Sequence, residues 1–87
     1  MPSPAKNLVG RQIALLRSGL TMSQAEFAAH CQLSGWDISR ETLAKIESGI
    51  RCVTDVEVVE IAEALKVPAT DLFPIDKRHL FVQALKA

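Results

Sequence analysis

The stretch SQAEFAAHCQLSGWDISRETLAKIESG, residues 23–49, decides how this 87-residue chain folds. It opens with Ser23 and, three residues later, Glu26. At this spacing each side chain can bond to the other residue's backbone N–H group, which is the capping box of a helix N-terminus. The small and apolar residues that follow predict a helix over 24–31.

The second half of the same stretch predicts another short helix over 40–48, with Ser39 as its N-cap and Gly49 just beyond its end. The face predicted to pack on a core holds Leu43, Ile46 and Ile50. The opposite face is polar or small and holds Arg40, Glu41, Ala44, Lys45 and Ser48. That outer face is not committed to the core, so it is either a solvated surface or a binding surface.

The rest of the chain carries helical signals and no strand alternation. Ser3 and Pro4 fit an N-cap followed by proline at the first helical position, which predicts a first helix over 5–18. Further along, we predict a helix from 54 or 55 to 67, a short helical turn ATDLFP at 69–74, and a last amphipathic helix over 76–86. Short links between helices predict one all-α domain.

Composition and charge exclude several classes of protein. The chain has 10 basic and 10 acidic residues, and this balance argues against a generic polyanion binder. It opens without a signal-like segment and contains no apolar run that could span a bilayer, which predicts a cytoplasmic protein with no membrane partner. We find no nucleophile–base pair, glycine-rich phosphate loop or metal cluster, so no catalytic residue, cofactor or metal is predicted.

Two short helices joined by a turn, the second with a polar outer face, follow the helix-turn-helix plan, whose second helix can enter the DNA major groove. Arg40 and Lys45 can donate to guanine acceptors, and Glu41 can accept from a cytosine amino group. Phosphates, in contrast, are bound by helix N-termini, hydroxyls, backbone groups and cations. The residues of these kinds beside the two helices are Ser23, Gln24, Thr42, Ser48, Gly49 and Arg51.

Four segments occur in an order and at spacings that resemble the phage-repressor and Cro-like helix-turn-helix family of bacterial transcription regulators. They are VGRQIALLR (9–17), SQAEFA (23–28), ISRETLAKIESG (38–49) and EVVEIAEALKVPATDLF (57–73). The resemblance covers residues 8–74 and leaves an N-terminal arm over 1–7 and a C-terminal helix over 75–87. It implies a five-helix domain that binds double-stranded DNA and acts as a repressor of transcription.

The resemblance also implies roles for particular positions. By position, Arg40, Glu41 and Lys45 would read bases, and Gln24 and Thr42 would hold phosphates. Arg17 and Glu47 match a structural ion pair that locks the third helix to the first. One departure is the segment AHCQLSGWD at 29–37, which makes the link between the second and third helices about five residues longer than is usual in the family.

Several residues keep two interpretations. Glu41 either accepts from a base or pairs with Lys45 four residues on. Trp36 either stacks on a base or packs the long link, and packing is favoured because a lone Trp is more often a packing residue. We expect Cys31 to be buried and inert, and Cys52 to be exposed. The histidines at 30 and 79 are expected to be exposed.

The last predicted helix carries Leu80, Phe81 and Leu85, an apolar face that either closes the chain's own core or packs against a second copy. We favour a homodimer, because dimers suit palindromic sites with half-sites about 10 bp apart. The main alternative function is a protein-interaction module, such as an antitoxin or adaptor that binds a partner protein.

Overall fold

The computed structural model describes residues 5–78, which form four α-helices followed by two short 3-10 turns. No strand occurs among these residues, so the all-α class predicted from the sequence is confirmed. The elements are α1 (Gly10–Gly19), α2 (Gln24–Leu33), α3 (Arg40–Glu47), α4 (Asp55–Leu65) and the turns Ala69–Leu72 and Ile75–Lys77.

The expected count of five α-helices is not confirmed within residues 5–78. After α4 the chain forms the two 3-10 turns, and Pro68 and Pro74 stand directly before them. Proline has no N–H to continue a preceding helix, so each turn begins a new element. The first turn matches the helical turn predicted for ATDLFP. Most of the helix predicted over 76–86 lies outside the described residues.

The caps read from the sequence are present. The hydroxyl of Ser23 accepts from the N–H of Glu26 at 3.0 Å, and the Glu26 carboxylate accepts from the N–H of Ser23 at 3.0 Å. Thr54 and Glu57 form a second capping box with distances of 3.1 and 3.0 Å, so α4 has Thr54 as its N-cap. Both boxes satisfy backbone donors that a helix N-terminus leaves without partners.

The predicted start of the first helix is wrong, because α1 begins at Gly10 and not near residue 5. The carbonyl oxygen of the Asn7 side chain accepts from the N–H groups of Val9 and Gly10, at 3.1 and 2.7 Å. An Asn side chain bonded to the backbone two and three residues on makes a turn that starts a helix. Ala5 and Lys6 therefore remain outside the helix.

A single apolar core lies between the helices. Both α1 and α2 pack against α3 and α4. The side chains with no exposed surface come from α1, α2, α3, α4 and the first 3-10 turn, and are Ile13, Phe27, Cys31, Leu43, Ile46, Ile61 and Leu72. Burying such side chains supplies most of the favourable free energy of folding.

Ile50 does not lie on the core side of α3, which corrects the sequence prediction. Its side chain is 61% exposed. The helix ends at Glu47, and Gly49 adopts a φ of +80°, a left-handed conformation that redirects the chain before Ile50. Helical periodicity would place Ile50 on the same face as Ile46, but the helix ends before it reaches Ile50.

The long link between α2 and α3 is held by hydrogen bonds between residues that are close in sequence. Gly35 has a φ of +99°, and the N–H of Trp36 then donates to the carbonyl of Cys31 at 3.0 Å. The side-chain amide of Gln32 donates to the carbonyl of Ile38 at 2.7 Å. Trp36 is half-buried and packs against the core, which confirms the packing interpretation. The link is therefore an ordered connection that fixes where α3 begins.

Candidate nucleic-acid interface

The outer face of α3 is exposed and free of internal partners. The side chains of Arg40, Glu41 and Lys45 are all exposed, and within residues 5–78 none of them makes a hydrogen bond or an ion pair. Glu41 and Lys45 are thus not paired with each other in this structure. On the opposite face Leu43 and Ile46 are fully buried. The helix is consequently anchored on one side and presents three charged side chains on the other.

The N-terminal end of α3 is capped locally. Ser39 accepts at its hydroxyl oxygen from the N–H of Thr42 at 3.1 Å, and its O–H donates to the Thr42 hydroxyl at 3.0 Å. Thr42 is half-buried, and its hydroxyl accepts from Ser39 and keeps its own O–H as a donor. This arrangement fixes the first turn of α3, from which Arg40 and Glu41 project.

The C-terminal end of α3 has fewer free donors than the sequence suggested. Ser48 is exposed, and its hydroxyl donates to the carbonyl of Lys45 at 3.1 Å. The N–H of Gly49 donates to the carbonyl of Ile46 at 3.1 Å, and its carbonyl accepts from the N–H of Lys6 at 2.7 Å. Both backbone groups of Gly49 are thus bonded within the fold, and a phosphate contact by this backbone stays a prediction.

A polar cluster joins α3 to α1 and α2. The guanidinium of Arg17 donates to both carboxylate oxygens of Glu47, at 2.7 and 2.9 Å, and also to the carbonyl of Met22 at 2.7 Å. The side-chain amide of Gln24 donates to the same carboxylate at 3.0 Å. The hydrogen bond from Arg17 to Glu47 raises the pKa of Arg17, which keeps its positive charge.

This cluster brings Arg17 and Glu47 together, as the resemblance implied, but it also engages Gln24. One N–H of the Gln24 amide is bonded to Glu47, and a phosphate contact by its second N–H stays a prediction. Ser23, one residue earlier, is exposed and caps α2 through its hydroxyl oxygen. The first N–H groups of α2 have no acceptor within their own helix, as at any helix N-terminus, and can still bind an anion.

Arg51 lies beyond α3 and already has an internal partner. Its guanidinium donates to both carboxylate oxygens of Glu57, at 3.1 and 2.9 Å. The hydrogen bond from Arg51 lowers the pKa of Glu57, and the same bond raises the pKa of Arg51. A phosphate contact by Arg51 would therefore compete with this ion pair, which the sequence reading did not foresee.

The cysteines and His30 lie away from the charged face of α3. Cys31 is buried and Cys52 is exposed, as expected. Burial raises the pKa of the Cys31 thiol to about 11, so this thiol stays protonated. The expectation that His30 is exposed is wrong: it is half-buried, its Nε2 lies 3.1 Å from the carbonyl oxygen of Ala64, and its ring stacks on Phe27.

Asn7 is the structural contact that sequence reasoning missed. Its amide nitrogen donates to the carbonyls of Ile46 and Arg51 at 3.0 and 2.8 Å. An Asn two residues before a Val-Gly pair indicates a possible local cap. No sequence pattern indicates the two carbonyls that lie about forty positions further on.

In the part of the chain that the structure describes, no helix is long and apolar enough to cross a membrane. Residues 5–78 also contain no group of three or more histidine, cysteine, aspartate or glutamate side chains placed to hold a metal ion.

Comparison with known proteins identifies the family. The sequence profile of a helix-turn-helix family matches residues 13–72, which is more than half of the chain and spans the region from α1 to the first 3-10 turn. The chain belongs to this family, the phage-repressor and Cro-like helix-turn-helix proteins, which are DNA-binding transcription regulators. No curated protein and no solved structure gives a significant match.

Proposed function

We propose that this protein binds a specific sequence in double-stranded DNA by placing α3 in the major groove, and that it represses transcription by occupying that site. The observation that carries the proposal is the exposed face of Arg40, Glu41 and Lys45, which has no partner within residues 5–78. A small domain holds this helix rigidly through Leu43 and Ile46 while keeping its charged groups available. The major groove is wide enough to admit one α-helix.

The three side chains would have different tasks. Arg40 stands in the first turn of α3, where a recognition helix meets base edges, and a guanidinium can donate two hydrogen bonds to guanine. Lys45 would reach a second guanine or a neighbouring phosphate. Glu41 would accept from a cytosine amino group, and it would repel any phosphate that approached it. This repulsion makes Glu41 a means of rejecting wrong sites.

Phosphate contacts would come from the ends of α2 and α3. Ser23 and the free N–H groups at the start of α2 form one anchor, and Ser48 would form a second by turning its hydroxyl away from the carbonyl of Lys45. Thr42 and Gln24 would each contribute one further donor, because the Thr42 hydroxyl only accepts from Ser39 and the Gln24 amide has a second N–H. Arg51 would have to leave Glu57. Such a small set of phosphate contacts, with zero net charge, implies weak non-specific binding and a shallow dependence on salt.

The proposed protein is a homodimer. Leu80, Phe81 and Leu85, the residues assigned to the dimer interface, lie outside the described residues. Support comes from an apolar groove of 570 Å³ on the outer side of α1, lined in part by the exposed side chains of Leu8, Leu15 and Ile75. This surface gives apolar residues near the end of the chain, in one copy or the other, a place to pack. Two copies would then read the two half-sites of an inverted repeat.

The test is selection of the purified protein against a pool of random DNA duplexes, followed by sequencing of the bound fraction. We expect an enriched inverted repeat, whose half-site spacing would report the dimer geometry. An enriched single half-site would retain specific DNA binding and contradict the dimer. No enrichment even at low salt would contradict the proposed function and would favour the protein-interaction module.

A further inference from the structure

The side-chain amide of Asn7 uses both of its ends, and it uses them on different parts of the fold. The oxygen accepts from the N–H groups of Val9 and Gly10, where α1 begins. The nitrogen donates to the carbonyls of Ile46, in the last turn of α3, and Arg51, in the loop that follows. One half-buried side chain thus joins the start of α1 to both sides of the α3 C-terminus.

Two neighbouring features keep the same surfaces in close contact. The N–H of Lys6 donates to the carbonyl of Gly49 at 2.7 Å, so the backbone before Asn7 is also bonded to the end of α3. Gly10 is buried, and a Cβ atom at this position would collide with the carbonyl oxygen of Ile46. The α1 backbone can approach α3 this closely only because residue 10 is glycine.

The contacts of Asn7 and Glu47 attach α3 to α1 at two separate points. Glu47 is bonded to Arg17 in the last turn of α1, whereas Ile46 is bonded to Asn7 just before its first turn. Leu43 and Ile46 pack α3 against the core, and with one polar attachment its end would be less restrained than with two. Two attachments on consecutive residues of α3 restrain the orientation of the helix, and so restrain the direction in which Arg40 and Lys45 project.

We propose that Asn7 is a positioning residue for DNA recognition: it acts through the carbonyls of Ile46 and Arg51 to set the orientation of α3. This inference rests on the proposed function, because the orientation of α3 has a consequence only if α3 reads bases. Asn7 itself touches no DNA in this mechanism. Its loss therefore weakens binding to the correct sequence and leaves binding to other sequences unchanged.

Asn7→Ser is the variant that separates the two halves of this contact. A serine hydroxyl can still accept from backbone N–H groups two and three residues on, so the start of α1 keeps its cap. The shorter side chain cannot reach the carbonyls of Ile46 and Arg51, and the net charge does not change. Ile61→Val, a small deletion in the core part of α4, is the control for a general loss of stability.

The full-length chain and both variants are measured against the duplex enriched by selection and against a scrambled duplex. We expect Asn7→Ser to bind the enriched duplex about tenfold more weakly, the size of one lost base contact, with no change on the scrambled duplex. Ile61→Val should bind both duplexes as the native chain does. Native affinity of Asn7→Ser for the enriched duplex would overturn the proposal, and so would an equal loss in Ile61→Val.

A measurement without DNA keeps the two proposals distinguishable. Residual dipolar couplings of backbone amides report the orientation of α3 relative to α1, and we expect them to differ between Asn7→Ser and the native chain. If the native chain enriches no duplex, the proposed function fails, and these couplings still decide whether Asn7 orients α3. Unchanged couplings in Asn7→Ser would overturn the positioning role whatever the DNA result.

Discussion

Two arginine–glutamate pairs in this domain have nearly the same geometry and different surroundings. Arg17 and Glu47 approach to 2.7 Å, and Arg51 and Glu57 to 2.9 Å, with two hydrogen bonds in each pair. The first pair is 14% and 5% exposed, joins α1 to α3, and has Gln24 as a third member. The second pair is 36% and 15% exposed and joins a loop to the start of α4.

The difference between the pairs is in what remains when one partner is removed. Without Glu47, the half-buried Arg17 loses its counter-charge and Gln24 loses its acceptor, so two polar side chains lose a partner where water reaches them only in part. Without Glu57, the guanidinium of Arg51 is still hydrated. Geometry alone does not set the energetic importance of an ion pair; burial and the number of dependent partners do.

The largest expected effect is on Glu47→Ala. We expect this variant to lose about 3 kcal/mol of unfolding free energy, because the largely covered guanidinium of Arg17 loses its counter-charge. Urea unfolding followed by circular dichroism measures the loss. Glu63→Ala, on the exposed face of α4, is the matched control and should change stability little. An unchanged urea midpoint for Glu47→Ala would show that the pair of Arg17 and Glu47 does not stabilise the fold.

Thiol labelling sharpens the comparison, because Cys31 is buried in the core and Cys52 is exposed. In the native chain at pH 8, we expect one thiol to react at once and Cys31 to react only when the fold opens. A 3 kcal/mol loss in Glu47→Ala predicts labelling of Cys31 about a hundredfold faster than in the native chain. Glu57→Gln should leave the Cys31 rate nearly unchanged, and equal acceleration in both variants would contradict the difference between the pairs.

The smallest expected effect is on Glu57→Gln and depends on pH. Arg51 lowers the pKa of Glu57 below its ordinary 4.5, so the ionised carboxylate stabilises the fold above pH 4.5 and this contribution is lost as pH falls through the folded pKa. Because the pair is partly exposed and screened by solvent, we expect a difference of about 1 kcal/mol or less at pH 7. Urea unfolding at a series of pH values from about 7 down to about 2 measures it, and a difference that stays constant over the whole series would exclude the ionised carboxylate as its cause.

Local signals in the sequence predicted most of the fold. The capping box at 23–26 and the N-cap at Ser39 depend on residues within one turn of each other, so the starts of α2 and α3 could be read directly. The start of α4 was predicted at 54 or 55, and the structure adds the capping box of Thr54 and Glu57. The beginning of α1 could not be read directly, because the turn at Asn7 is completed by carbonyls of α3 and its following loop. Ser3 and Pro4 predicted a helix start near residue 5. The helix begins at Gly10 instead, after the turn that the long-range contacts of Asn7 stabilise.

The candidate interface was predicted less completely than the fold. The outer face of α3 follows from helical periodicity alone, and Arg40, Glu41 and Lys45 are exposed as that periodicity requires. The hydrogen bonds of Gln24 and Arg51 do not follow from it, because each of these side chains is bonded to a glutamate on another element. Sequence patterns indicate which side chains can bind phosphate, and only the fold determines which of them are already occupied.

The most direct test of the central claim, that α3 reads bases, repeats the DNA selection with Arg40→Ala beside the native chain. We expect the same overall site with one position in each half-site relaxed, and affinity for the native site lower by about 1–3 kcal/mol. Lys66→Ala, an exposed residue just beyond α4, serves as the control and should enrich the native sequence unchanged. If Arg40→Ala enriches the same sequence with undiminished preference at every position, Arg40 reads no base and the account is contradicted.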